Sequence, residues 1–312
     1  MTCRAAATPM PPSKPVSRFK LGTVRAGFAL GSRLMPARTL RHATQLFATP
    51  FASSRARALA SAPDPAMQRD EMIISHQRIA VYRWGDPMRQ PYVLMAHGWS
   101  SFGQRFASWV PHLRALGYAV VSFDQPGHGR SEGRHCTLPD FVDTINELGR
   151  CFGPAALAIG HSLGAAALVL AQDQAWQARK LILLAPAEDM VAATDRFFRM
   201  VRLSPRLRGR FFDWHERHTG THPEQLQVHR YLPVLGQPGL VVHDLDDAEV
   251  PWEEGERYAR HWPEARLLTT QGLGHHHIVD APEVIEAALA YLRGDDIGTR
   301  AVGSANLARA IR

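Results

Sequence analysis

From Tyr92 onward, short apolar runs alternate with stretches of helical periodicity, and this alternation constrains the fold more than any other feature of the chain. Residues 92–96 (Tyr-Val-Leu-Met-Ala) read as a strand, 106–116 as a helix stopped by Gly117, and 118–123 as the next strand. A Gly/Pro-rich loop follows, then a helix over 138–151, a strand over 155–159, a helix over 163–172 and a strand over 181–184 ended by Pro186. After a pause the series resumes with a strand at 240–243, a helix at 252–261, a strand at 265–269 and a helix at 282–292. Strands that alternate with helices of this length predict an α/β fold, a mostly parallel central sheet with helices on both faces. Each strand-helix-strand unit is then wound right-handed. Ahead of the series, Ile73-Ile74 and Ile79-Ala80-Val81-Tyr82 read as an antiparallel hairpin that ends at Gly85-Asp86-Pro87.

The pattern divides the chain into a basic N-terminal extension over 1–69, a body over 70–294 and a polar tail over 295–312, expected to be disordered. At 312 residues, 45% of them hydrophobic, the chain is long enough to bury one large core. Within the body, the pause over about 187–237 is rich in Arg, His and aromatics. It reads as a small helical lid over the strand ends where ligands bind. Its Phe197, Phe198, Phe211, Phe212 and Trp214 suit either an apolar acyl chain or packing of the lid onto the core.

The net charge of +7 is unevenly spread. Ten cations and no acidic residue precede Asp64, which leaves the remainder near −3. The basic character therefore belongs to the extension, and the body lacks the interleaved cations and aromatics of a nucleic-acid surface. The extension has no apolar run long enough for a signal-peptide core. Its Arg-rich, acid-poor composition looks like an organelle transit peptide. It equally suits two short amphipathic helices, split by Pro36, lying on the body or on an anionic membrane surface through residues 1–63. The longest apolar stretch, 155–171, is broken by His161 and Ser162, so no membrane span is expected. Cys3, Cys136 and Cys151 are too scattered for a disulfide framework or a structural metal, and such usage fits a reducing, cytoplasmic compartment.

The sharpest local element is Gly160-His161-Ser162-Leu163-Gly164, which follows an expected strand and opens an expected helix. So tight a turn forces Ser162 into a strained conformation and pushes its hydroxyl out of the sheet, while glycine at 160 and 164 lets neighbouring backbone approach. A serine hydroxyl needs a base to take its proton as it attacks. In an α/β sheet the acid and the histidine follow on later strands. Asp247 lies just after the strand at 240–243, with Asp246 and Asp244 as alternatives. His275 follows the last core strand in Gly272-Leu273-Gly274-His275, with His276 as the alternative. Asp247 also suits a plain turn, and His275-His276-His277 a solvated loop. Three adjacent histidines without a carboxylate at ligand spacing do not make a metal site. Two backbone N–H groups would face a developing oxyanion: that of Leu163, directly after the serine, and that of Trp99, in the loop His97-Gly98-Trp99-Ser100-Ser101.

In these motifs the chain resembles the α/β-hydrolase superfamily, in particular its serine esterase and lysophospholipase-like branch. HGWSS, FDQPGHGRS (123–131), GHSLG, and DDAEVP with GLGH occur in the family's order across 92–292. The resemblance implies a Ser162-His275-Asp247 triad, no cofactor, a small-molecule ester substrate and an acyl-enzyme. It makes 124–131 a structural loop, with no catalytic role for Asp124 or His128. Aspartate takes the nucleophile position in haloalkane dehalogenases and epoxide hydrolases of this fold, where this chain has Ser162. Thioester or amide cleavage, acyl transfer, cofactor-independent peroxidase chemistry, C–C bond hydrolysis and a binding protein that has lost turnover are the competing readings.

Overall fold

The computed structural model describes residues 18–62, 64–172 and 176–300. Three helices come first: α1 (Arg18–Leu34), α2 (Pro36–Ala48) and α3 (Ala52–Ala60). Pro36 does split the first two. It occupies the first turn of α2, where a missing N–H costs nothing. The third helix was not expected. Residues 1–17, with Cys3 and the first cations, lie outside the described residues.

Strands β1 (Gln68–Ile74) and β2 (Gln77–Trp84) form the antiparallel hairpin. Ser75 and His76 make its two-residue turn, both at positive φ (47° and 63°), a twist that matches the flanking strands. Strand β1 begins five residues before the expected Ile73, because its outer half is largely exposed and carries little apolar patterning. Next come β3 (Tyr92–Ala96), α4 (Val110–Ala115), β4 (Ala119–Phe123), α5 (Leu138–Phe152), β5 (Leu157–His161), α6 (Leu163–Gln172) and β6 (Leu181–Leu184). A segment carrying α7 (Met190–Val201) and α8 (Arg208–Thr219) is inserted before β7 (Gly239–Asp244). The chain then continues through α9 (Trp252–His261), β8 (Ala265–Thr270), α10 (Gly274–His277) and α11 (Pro282–Arg293). The helix expected from residue 106 starts as a 3₁₀ stretch, Gly103–Trp109, before α4.

All eight strands share one sheet in the order β1-β2-β4-β3-β5-β6-β7-β8. β2 runs antiparallel to both its neighbours, and every pairing from β4 to β8 is parallel. The fold is thus a mostly parallel α/β sheet with helices around it. Strands β3, β4 and β5 are buried along their whole length, as the continuous apolar runs require. Alternate residues serve different faces. Leu94, Ala96 and Val121 point to the core made with α5, α6 and α9. Val93, Met95 and Val120 point to the core made with α4 and α11.

The extension is not a separate layer. Leu40 and Ala43 of α2 share a core cluster with Phe197, Phe198, Val201, Phe211 and Phe212 of the inserted segment, and Phe47 packs on it. Phe47 meets the Phe197 and Phe211 rings edge-on, with centroids 5.1 and 5.3 Å away. These phenylalanines are thus engaged in packing the insertion onto α2, and they no longer argue for an apolar acyl chain. The base of the insertion is held by Glu254 of α9, whose carboxylate accepts the N–H of Glu188 at 2.7 Å and pairs with Arg196.

Residues after Gly294 also depart from expectation. Thr299 bridges to Leu267 of β8, and Arg266 binds the carbonyls of Ile297 and Gly298 at 2.7 Å, so the start of the tail is docked. Residues 301–312 lie outside the described residues. Among the described residues no helix is long and apolar enough to cross a membrane.

Candidate active site

Three loops at the carboxyl ends of parallel strands converge on Ser162. The serine itself sits between β5 and α6 at φ 52°, a left-handed conformation that costs a non-glycine residue roughly 1–3 kcal/mol. Its N–H donates to the Leu184 carbonyl of β6 at 3.0 Å, which fixes the turn from outside. The flanking glycines have a steric reason. A Cβ at Gly160 would come within 2.7 Å of the Ala165 Cα, and one at Gly164 would run into the carbonyl oxygens of Ala96 and His97. Helix α6 can therefore lie tight against the end of β3.

The imidazole of His275, in α10, spans the gap to the carboxylate. Its Nε2 is 3.0 Å from Ser162 Oγ and its Nδ1 is 2.7 Å from Asp247 Oδ2. Asp247 is well supplied with donors. Its Oδ1 accepts the N–H of Glu249 at 2.8 Å and of Val250 at 2.9 Å. Burial alone would raise this carboxyl's pKa. Hydrogen bonds from His243 and His275, with the N–H of Val250, outweigh that and hold it well below the usual carboxylate range. An ionised Asp247 accepts a hydrogen bond from the Nδ1–H of His275, which leaves Nε2 with a free lone pair toward the serine hydroxyl. Ser162 and His275 are only 7% and 8% exposed, so the pair is shielded from bulk water.

Neither alternative acid reaches His275 among these contacts. Asp244 is fully buried and structural. Its Oδ2 accepts Thr270 Oγ1 at 2.7 Å and the N–H of Leu273 at 3.0 Å, which ties the strand end to the histidine loop. Asp246 is exposed. His276 points outward to Glu249, 2.9 Å away. Among the described residues there is no group of three or more His, Cys, Asp or Glu side chains that could hold a metal ion.

The loop after β3 lies against the elbow, since a Cβ at Gly98 would be 2.9 Å from Ser162 Cβ. That puts the expected donor Trp99 beside the serine's loop, and Leu163 opens α6, where an N–H has no acceptor within the helix. Ser100, at φ 52°, donates its N–H to His128 Nε2 at 3.1 Å, and His128 stacks edge-on against Trp99. Asp124 accepts from Gly103 N, Arg130 N and Tyr82 OH at 2.6–2.7 Å. Both residues thus brace the loop after β3 and the turn after β4.

Two buried histidines stand beside these groups: His161, read from the sequence only as part of the elbow, and His243, to which the sequence assigns no role. His243, the fifth residue of β7, holds its Nε2 3.0 Å from the Val250 carbonyl and 3.4 Å from Asp247 Oδ2. His161 binds the His275 backbone.

An eight-stranded α/β sheet that raises a serine on a strand-to-helix turn is the α/β-hydrolase fold. The model of the alpha/beta hydrolase family matches residues 93–288, and the chain belongs to that family. A monoacylglycerol lipase of Mycolicibacterium smegmatis is 30% identical over 80 residues, 23% of this chain and 29% of that protein, so the match spans under a third of the relative. A thermophilic esterase of Thermogutta terrifontis superimposes with a TM-score of 0.53 at 19% identity, over 73% of this chain and 98% of the esterase. The mouse alpha/beta hydrolase domain-containing protein 10 gives 0.57 at 18% identity, over 73% and 97% of the two chains.

Proposed function

We propose that the protein hydrolyses a carboxylic ester, with a thioester or an amide as the alternatives to it, through Ser162, His275 and Asp247. One observation carries the reading: a single imidazole joins a strained serine hydroxyl at 3.0 Å to a buried carboxylate at 2.7 Å. As Ser162 Oγ bonds to the substrate carbonyl carbon, its proton passes to His275 Nε2. The carbonyl π pair becomes an oxyanion, for which the N–H groups of Leu163 and Trp99 are the proposed donors. When the C–O bond to the leaving alcohol breaks, Nε2 returns the proton to that alcohol. Water then attacks the acyl-enzyme by the same steps in reverse, giving the acid and free Ser162. Asp247 stays ionised and stabilises the transient imidazolium. The inserted segment 187–237 is the proposed lid.

Hydrolysis of nitrophenyl esters from acetate to laurate tests this. Turnover by the wild type, lost in Ser162→Ala and in His275→Ala, is expected. Turnover that survives both substitutions rules the mechanism out.

The extension supports a second, separate reading, contact with an anionic membrane surface. Leu30, Leu34 and Met35 are exposed at the α1–α2 corner beside the exposed Arg33, Arg38 and Arg41. Co-sedimentation with anionic but not neutral vesicles is expected; equal binding to both, or no loss on deleting residues 1–63, rejects it.

A further inference from the structure

The residue before the serine has a side chain of its own to account for. His161 is 4% exposed, and its Nε2 lies 2.8 Å from the backbone carbonyl oxygen of His275. A carbonyl can only accept, so Nε2 carries the proton there. Its ring lies against the His275 ring, centroids 4.7 Å apart and planes at 45°. The other nitrogen, Nδ1, is buried with no hydrogen-bond partner and faces Gly98, where a Cβ would stand 3.0 Å from it. One imidazole therefore touches all three loops of the site: its own elbow, the histidine loop and the loop after β3.

From this geometry we infer that His161 is a positioning residue, whose neutral imidazole clamps the His275 backbone to the elbow and so sets the distance between His275 Nε2 and Ser162 Oγ. The inference rests on the proposed roles of those two residues. Ser162 and His275 come from turns 113 positions apart, and α10, which carries His275, is only four residues long. Such a short turn has little of its own to hold an imidazole to within a few tenths of an ångström. The His161 N–H supplies that restraint from the one residue whose backbone already defines where the serine is.

A neutral clamp is also what the chemistry tolerates. The groups facing this ring are His275, His276 at 6.4 Å between centroids, and Arg105, which binds the His276 carbonyl at 2.7 Å. A second cation among them would oppose the imidazolium that His275 becomes during attack. Burial, together with His275, His276 and Arg105, pushes the His161 pKa well below its ordinary value, despite the bond to the His275 carbonyl.

The test compares His161→Phe, which keeps a ring and loses the donor, with His161→Gln, which keeps an N–H. Ester turnover and the rate of fluorophosphonate labelling at Ser162 are read alongside wild type and Ser162→Ala. The Phe variant should lose about 10- to 100-fold in kcat and labelling rate, the scale of a small misplacement of a catalytic group, with KM little changed. The Gln variant should recover most of that loss at an unchanged melting temperature. Equal rates in Phe and wild type, or equal losses in Phe and Gln, overturn the inference. Absence of labelling in the wild type refutes the Ser162 reading instead. Should His161→Phe not fold, ¹⁵N spectra of the wild-type histidines decide. A protonated Nε2 and bare Nδ1 on His161 at about pH 7 are expected, and the opposite tautomer or a doubly protonated ring overturns it.

Discussion

His275 Nε2 stands 3.0 Å from Ser162 Oγ, although 113 positions separate the two residues in sequence. The parallel sheet makes the encounter possible. Ser162 follows β5 and His275 follows β8, and parallel strands deliver their carboxyl ends to one edge. Each residue then rises on a turn that glycine permits, Gly160 and Gly164 around the serine and Gly272 and Gly274 ahead of the histidine, both of the latter at positive φ (83° and 61°). The distance is a product of strand order and turn chemistry together.

The carboxylate partner should be specific to one of three neighbouring aspartates. Asp247→Asn leaves the shape intact but removes the charge that selects the His275 tautomer, and the same change in a serine-protease triad lowers kcat by about 10⁴-fold. A loss of about 10³- to 10⁴-fold is expected in ester turnover, against less than about twofold for Asp246→Asn, which is exposed. Comparable effects from the two substitutions would move the acid elsewhere.

Buried histidines give stability a particular pH dependence. Burial leads the causes that lower the pKa of His97, His128, His161 and His215 in the folded chain below their ordinary 6.5. The unfolded chain therefore binds protons that the folded chain refuses. Their contribution is fully present above about pH 6.5 and is lost as pH falls toward the folded values, at up to about 1.4 kcal/mol per pH unit for each histidine. Asp247, held low, stays ionised across that window and does not offset the loss. Chemical denaturation midpoints should be flat from about pH 7 to 8 and fall steeply below about 6.5. A midpoint unchanged between pH 7 and 5 would show that these rings are solvated or paired in the folded state.

The extension and the insertion should melt together. Phe47 is partly buried and meets both Phe197 and Phe211, so Phe47→Ala removes contacts from both sides of the joint. A loss of about 2–3 kcal/mol is expected, below the full cost of a wholly buried phenylalanine. Denaturant titration measures it, and a change under about 0.5 kcal/mol would mean that the two segments do not share a core.

Much of this architecture is legible in the chain itself, for physical reasons that differ along it. β3, α6 and β6 fall on the residues the pattern predicts, because buried parallel strands are continuous apolar runs with sharp polar ends. Asp247, His275 and the elbow sit in local motifs whose turn chemistry can be read from adjacent residues. The strand β5 is displaced by two residues from its expected 155–159, since Ala155 and Ala156 are apolar but lie outside the ladder, Ala155 making only an isolated bridge to Ala178.

Long-range pairing leaves no such trace. Nothing in Phe47 or Phe197 announces that they meet across 150 positions. The docking of Thr299 on Leu267 is equally silent, since a short polar tail carries no periodicity. His161 and His243 lie at the ends of apolar runs, where a histidine reads as a boundary; only the folded sheet turns them toward His275 and Asp247.

The proposed chemistry turns on one hydroxyl, that of Ser162. Wild-type protein and Ser162→Ala are incubated with a fluorophosphonate probe, and any adduct is located by peptide mass spectrometry. One adduct is expected, on Ser162, absent from Ser162→Ala and formed far more slowly in His275→Ala. A well-folded wild type that stays unlabelled, or an adduct on another residue, would contradict it.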